Sequence, residues 1–164
     1  MSAVISAVVL AGCGKVSEDS PARNFAYVAN HLSSTVSAYT IDATTGALTS
    51  VGTYATGLNP RSVAVHPSGK FVYVANTFSD DVSAYTCNAT TGALTSIGSP
   101  IAAGDGPQSV AVDPLGKFVY VANEYSGDVS AYMINATTGA LTKVAGGWAT
   151  GSNPWSLVVT GAYR

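Results

Sequence analysis

Three near-copies of one segment fill most of this 164-residue chain, and this repetition constrains the fold more than any other feature. The tetrapeptide Tyr-Val-Ala-Asn recurs at intervals of 46 and 47 residues, starting at Tyr27, Tyr73 and Tyr120. Three further motifs follow it: Val-Ser-Ala-Tyr at 36–39, 82–85 and 129–132, Ala-Thr-Thr-Gly-Ala-Leu-Thr at 43–49, 89–95 and 136–142, and a Pro-x-Ser strand at 60–65, 107–112 and 154–159. Each unit therefore contains four short apolar runs.

A unit of this length with four short strands is typical of one blade of a β-propeller. In the second unit the predicted strands a to d are Arg61–His66, Phe71–Asn76, Val82–Cys87 and Ala93–Gly98. We predict an all-β protein of about three four-stranded antiparallel blades, with repeats at 24–57, 58–104 and 105–151 and a closing strand at 153–160.

Three blades are fewer than the 4–8 of known closed propellers. The first unit begins at its strand b and the chain ends in an extra strand a, so we expect that last strand to complete the first unit, within one chain or between chains. We therefore expect both ends of the chain to be natural ends. Relative to known closed propellers, whole blades were then lost from the middle of the chain or were never present. Because an isolated three-bladed body exposes apolar faces, the sequence predicts self-association into a six-bladed homodimer, with an open three-bladed arc as the alternative.

The N-terminus resembles an export signal. Residues 3–12 are uncharged and mostly apolar, and Leu10-Ala11-Gly12-Cys13 resembles the lipobox of bacterial lipoproteins. The resemblance implies a signal segment at 1–13, lipidation of Cys13 and a polar tether at 14–23. It also implies that the protein is exported to the bacterial cell envelope, in the periplasm or on the outer surface, and that it contacts the membrane only through the lipid. The alternative is an incidental cysteine, because no Lys or Arg precedes the apolar run.

Composition excludes several function classes. The formal net charge is −2 and Lys and Arg form no cluster, which argues against binding to nucleic acid or to an anionic membrane surface. No Gly-rich phosphate loop, Gly-x-Ser-x-Gly elbow, His-Glu-x-x-His or paired-cysteine motif occurs, so neither a cofactor nor a metal is predicted. Cys87 replaces Ile41 and Ile134 of the other units, so it is interpreted as a small core residue.

The Tyr-Val-Ala-Asn and Val-Ser-Ala-Tyr strands, with the Pro-Ser-Gly-Lys-Phe-Val-Tyr-Val segment at 67–74, resemble the YVTN-type repeats of the lactonase-like seven-bladed propellers, which include 6-phosphogluconolactonase-like proteins. The resemblance covers about residues 24–160. It implies a lactone-hydrolysing site in the central channel. No catalytic constellation matches residue by residue, so none is carried over.

Candidate ligand-binding residues lie where the repeats differ at the channel mouth, the face that the d–a and b–c loops share. They are Arg61, Gln108 and Trp155 at the start of strand a, and His31, Thr77 and Glu124 after strand b. His31 and Glu124 are candidates for an acid/base pair, and Arg61 for a carboxylate or oxyanion contact. The alternative is ordinary variation at solvated loop ends.

Three functions remain open. The sequence favours an exported, lipid-anchored, non-enzymatic propeller that binds a protein, a glycan or a small ligand. The alternatives are a lactonase-like hydrolase of a sugar lactone and a degenerate propeller fragment without independent function.

Overall fold

The computed structural model describes residues 11–12 and 24–161, and these residues form three antiparallel sheets, one for each repeat. The predicted signal segment apart from Ala11–Gly12, the tether at 14–23 and Cys13 lie outside the described residues. Within the described part of the chain, no helix is long and apolar enough to cross a membrane.

Each sheet is a blade with its strands in sequence order. The first blade contains β1 (Ala11–Gly12), β2 (Asn24–Asn30), β3 (Thr35–Ile41) and β4 (Leu48–Ala55). The second contains β5 (Pro60–Val65), β6 (Phe71–Asn76), β7 (Asp81–Cys87), β8 (Leu94–Ser96) and β9 (Ile101–Ala102). The third contains β10 (Pro107–Val112), β11 (Phe118–Asn123), β12 (Asp128–Ile134), β13 (Leu141–Lys143) and β14 (Trp148–Ala149). The partial propeller predicted from the repeats is confirmed.

The outer strand d differs between blades. It is continuous in the first blade, whereas in the second it divides into β8 and β9. The predicted strand Ala93–Gly98 therefore extends past the end of β8 and does not include β9. Gly98 adopts a φ of 63° and Pro100 has no N–H to offer a ladder. These two residues explain the break.

The turns between strands c and d form as their residues predict. The first residue of each turn accepts a hydrogen bond from the N–H two positions on: Asp42 from Thr44 (3.0 Å), Asn88 from Thr90 (2.9 Å) and Asn135 from Thr137 (3.0 Å). Such N–H donors, that of Thr45 above all, lower the pKa of Asp42. The turn glycines Gly46, Gly92 and Gly139 have φ values of 73°, 75° and 74°.

Aromatic residues of strands b and c join each blade to its neighbour. The strand-b tyrosine donates to the turn glycine carbonyl of the next blade: Tyr27 to Gly92 at 2.9 Å and Tyr73 to Gly139 at 3.0 Å. The strand-c tyrosine donates back to the outer strand of the preceding blade: Tyr85 to Ala55 at 2.6 Å and Tyr132 to Ala102 at 2.8 Å. Each interface is thus fixed by a reciprocal pair of hydrogen bonds inside an apolar core.

A serine ladder connects the inner strands. Ser62 Oγ accepts a hydrogen bond from Val110 N–H at 3.1 Å, and Ser109 Oγ accepts one from Leu157 N–H at 3.1 Å. The segment 154–160 therefore lies beside the third blade, where the inner strand of a fourth would lie. Among the described residues it makes no strand pairing with the first blade, whose innermost strand is β1. Completion of the first blade by this segment is not found within the single chain, and completion between chains stays a prediction.

Cys87 packs at the edge of the core between the first and second blades. Its Sγ lies 2.9 Å from the hydroxyl of Tyr27, across that interface. This placement agrees with the interpretation of Cys87 as a core residue.

Candidate channel-mouth site

The d–a and b–c loops meet at one end of the propeller, as expected. Thr77 N–H donates to Asn59 O at 3.1 Å, and Glu124 N–H donates to Gly106 O at 2.8 Å. These backbone bonds hold each b–c loop against the d–a loop that precedes its blade. The starts of the inner strands open onto the same end.

Arg61 and Trp155 come together at this mouth although the inner strand β10 lies between them in sequence. The guanidinium carbon of Arg61 lies 5.7 Å from the centroid of the Trp155 ring, within cation–π range. The ring itself is 58% exposed. Arg61 Nε is buried and has no hydrogen-bond partner within the described residues. The pair therefore combines a cation, an unused donor and an open aromatic face.

Gln108 and Glu124 form a second pair in the wall of the mouth. Both side chains are buried, and Gln108 Nε2 donates to Glu124 Oε2. A neutral amide, rather than a cation, thus holds this carboxylate in place. Glu124 also lines an open cleft of about 250 Å³ between the loops at 124–127 and 150–153.

His31 lies in the short 3₁₀ turn His31–Ser33, and its side-chain neighbours are Asn59 and Phe78. Its Nε2 is 3.3 Å from Asn59 Nδ2, and its ring meets Phe78 edge-on at 6.3 Å. Glu124 is bonded to Gln108, and no hydrogen bond joins it to His31, its candidate acid/base partner, among the described residues. The reason is that His31 belongs to the first blade and Glu124 to the third. His31 Nδ1 is buried without a partner among the described residues.

The side chain of Thr77 takes part in the contact between the second and third blades. Its side chain is 1% exposed, and Oγ1 donates to Pro107 O at 2.6 Å. The carbonyl at the start of β10 is buried at this blade interface and needs a donor, which Thr77 supplies. Its hydroxyl is therefore committed to an inter-blade bond.

Large apolar residues on the loops form a rim that was not predicted from the sequence. Each b–c loop carries one at the same repeat position: Leu32, Phe78 and Tyr125, which are 91%, 61% and 62% exposed. Phe78 and Tyr125 border a groove together with Leu58, Asp80 and Asp105. The recurrence of a large apolar residue in a polar loop was the available signal.

The asparagines that end strand b hold the start of strand c. Asn76 Nδ2 donates to Asp81 Oδ1 at 2.6 Å and to Ser83 Oγ at 2.9 Å, and Asn123 does the same with Asp128 and Ser130. Burial raises the pKa of Asp81, although the hydrogen bonds from Asn76 and Ser79 act in the opposite direction. No cluster of three or more His, Cys, Asp or Glu residues suited to a metal occurs within the described residues.

Comparisons with known proteins identify the fold and its family. The sequence profile described as lactonase, 7-bladed beta-propeller, matches residues 16–106 and 101–157. No curated protein matches the sequence significantly.

Three solved structures illustrate the similarity. A "putative 6-phosphogluconolactonase" from Bacteroides fragilis is 25% identical with a TM-score of 0.74, over 80% of this chain and 37% of that one. A protein from Lactobacillus plantarum is 26% identical with a TM-score of 0.73, over 80% and 40%. The periplasmic gluconolactonase of Pseudomonas aeruginosa, at 22% identity and a TM-score of 0.72 over 79% and 38%, shares the fold.

This chain thus spans less than half the length of the structures that it matches. Its three blades superimpose on part of a larger ring, and the family profile covers most of its sequence. The chain belongs to the seven-bladed β-propeller lactonase family.

Proposed function

We propose that the channel mouth binds a sugar acid or sugar lactone. The observation that carries this proposal is Arg61, whose buried Nε has no partner within the described residues. A buried donor without an acceptor is costly, and a carboxylate, phosphate or lactone carbonyl oxygen satisfies it with a charge-assisted bond. A small ligand suits the cleft of about 250 Å³ beside Glu124 better than a protein or a glycan chain, which stay predictions.

The surroundings of Arg61 suit the rest of such a ligand. Trp155 offers an exposed ring beside the guanidinium, and Phe78 and Tyr125 continue an aromatic rim. Small-molecule sites combine apolar and aromatic walls with a few polar groups that fix orientation. The ring C–H groups of a sugar derivative pack on such walls while its charged end reaches Arg61.

The names of similar proteins support the same ligand class. One carries the description of a putative 6-phosphogluconolactonase and another that of a gluconolactonase. Since this chain spans less than half of their length, these names support the class of ligand and do not by themselves support an activity.

Hydrolysis of the lactone is a second candidate, favoured by the buried carboxylate of Glu124 at the same mouth. In this reaction the carboxylate takes a proton from water, the hydroxide adds to the lactone carbonyl carbon, and Arg61 donates to the oxyanion. Cleavage of the ring C–O bond then gives the open carboxylic acid, which releases its proton to water, and the leaving alkoxide takes up the proton that Glu124 holds. Gln108 acts as a positioning residue that holds Glu124 through its amide.

Titration calorimetry with gluconate, 6-phosphogluconate and glucono-lactone tests the site. We expect Arg61→Ala to weaken binding by about tenfold or more, because a charge-assisted bond is lost. Lys70→Ala, which removes a cation from the opposite face, is the control. Glu124→Gln, which retains an acceptor for Gln108, is expected to leave binding intact.

Lactone opening followed in a pH-stat separates the two functions. A rate above the spontaneous one that Glu124→Gln abolishes establishes hydrolysis, whereas binding without such a rate leaves a binding protein. Absence of saturable binding, or equal losses in Arg61→Ala and Lys70→Ala, rejects the proposed site.

We also propose that the chain is exported and anchored through a lipid on Cys13, on the strength of the Leu10-Ala11-Gly12-Cys13 motif. In a bacterial host, the wild-type chain is expected in the membrane fraction, labelled by a radioactive fatty acid. Cys13→Ser is expected to lose the label and the membrane association. An unlabelled wild-type chain in the soluble fraction contradicts the anchor.

A further inference from the structure

The two outermost blades each present a surface that has no neighbour within the described residues. We call the surface with Tyr39, Gly46 and Leu48 the leading face of the first blade. The trailing face of the third blade carries Phe118, Tyr120 and the carbonyl of Ala149. These residues are the repeat equivalents of the groups that form the interfaces inside the chain.

The two internal interfaces show what each group contacts when a neighbour is present. Phe25 covers Gly92 so closely that an added Cβ would lie 2.4 Å from its ring, and Phe71 covers Gly139 in the same way, at 2.3 Å. The tyrosine two positions after each phenylalanine donates to that glycine's carbonyl. The reciprocal bond runs from a strand-c tyrosine to the alanine carbonyl that ends the outer strand.

At the ends of the arc the same groups are uncovered. Leu94 is 6% exposed within an interface, whereas its equivalent Leu48 is 55% exposed. Gly46 has no atom within 4 Å of an added Cβ among the described residues, although its turn has the same geometry as those of Gly92 and Gly139. The hydroxyls of Tyr39 and Tyr120 make no hydrogen bond within the described part of the chain. Each face thus carries one half of a contact that the molecule already makes twice.

We propose that the trailing face of one copy binds the leading face of a second copy, and that two such junctions close a six-bladed ring. At each junction Phe118 covers Gly46, Tyr120 donates to Gly46 O, and Tyr39 donates to Ala149 O. Such a contact joins two different surfaces, so it closes only when the rotation completes a circle. Two copies supply six blades, within the range of known propellers.

The segment 154–160 contributes to the same junction. It already continues the inner strands through the bond from Leu157 N–H to Ser109 Oγ. Among the described residues, the inner edge of β2 pairs only with β1, at Asn24 and Phe25. The register of β5 with β6 places Leu157 opposite Val28 of the second copy, so this segment becomes the inner strand of that copy's first blade.

Light scattering after size exclusion tests the ring with the full chain and a matched pair of variants. Gly46→Asn keeps a residue that tolerates positive φ but places a side chain where Phe118 must lie. We expect the wild type to be a dimer and Gly46→Asn to weaken association by about tenfold or more, with unchanged circular dichroism. Gly98→Asn is the control, since Gly98 has a φ of 63° and nothing within 4 Å of an added Cβ. It should remain dimeric.

A mixing experiment tests whether two different faces meet. Phe118→Ala damages only the trailing face and Gly46→Asn only the leading face, so each variant alone lacks any intact junction. Their mixture forms one intact junction per pair, and we expect dimers to reappear. A monomeric wild-type chain overturns the proposal, as do open polymers, equal effects of Gly46→Asn and Gly98→Asn, and a mixture that stays monomeric.

Discussion

Replacement of Gly139 by alanine is expected to lower the free energy of unfolding by about 2–5 kcal/mol, through overpacking and a left-handed backbone. An added Cβ would lie 2.3 Å from the ring of Phe71. That ring is 3% exposed and meets His66 edge-on at 5.5 Å, so it has no free space into which to retreat. Gly139 itself adopts a φ of 74°. Urea denaturation at neutral pH measures the loss.

Gly98→Ala is the matched control for this prediction. Gly98 also has a positive φ, of 63°, but nothing lies within 4 Å of its added Cβ. Its replacement should lower the free energy of unfolding by about 1 kcal/mol, because only the left-handed backbone conformation opposes the added Cβ. Equal losses in the two variants would mean that the left-handed conformation, and not the blade interface, determines the effect.

The protein is also expected to lose stability steeply as the pH rises above 10. Tyr132 is fully buried, and this burial raises the pKa of its hydroxyl to about 12. Burial raises the pKa of Tyr73 and of Tyr85 as well. In the unfolded chain these hydroxyls lose their protons near pH 10.

The direction of the effect follows from proton binding. Between pH 10 and 12 the folded chain retains protons that the unfolded chain has released, so the stabilisation present below pH 10 disappears as the pH rises. For Tyr132 alone the loss amounts to about 2–3 kcal/mol across this window.

Denaturant unfolding at a series of alkaline pH values measures this dependence. Tyr132→Phe should make the fall in stability with pH shallower, while Tyr125→Phe, at an exposed residue, should leave the slope unchanged. The slope is the diagnostic quantity, because the loss of the bond to Ala102 O also lowers the stability of Tyr132→Phe at neutral pH. Identical slopes in the two variants contradict the role of burial.

Strands a, b and c were predictable because repetition aligns them and their apolar runs are short and regular. The predicted Phe71–Asn76 agrees with β6, and Val82–Cys87 differs from β7 by one residue. Strand d was less predictable, since Gly98 and Pro100 interrupt the ladder in a way that the run of apolar residues does not reveal.

The candidate site was predictable only as a region. Repeat alignment placed Arg61, Gln108 and Trp155 at equivalent positions, but contacts between side chains depend on reach and on burial. The Arg61–Trp155 contact is therefore visible only in the structure. The structure also shows that the Thr77 hydroxyl donates to Pro107 O, so this donor is not available to a ligand. Phe78 and Tyr125 were not predicted, because the predicted site residues are those that differ between repeats, whereas all three repeats have a large apolar side chain at this position.

The serine ladder has a consequence for how such a protein evolves. Each rung joins the Oγ of one repeat to a backbone N–H of the next, so a new repeat that carries a serine at the third position of its first strand extends the ladder without a change in the others. Nothing in one rung specifies how many others exist. Gene duplication or deletion of a whole repeat therefore leaves every remaining rung intact, and the number of repeats can change between descendants without redesign of any single one.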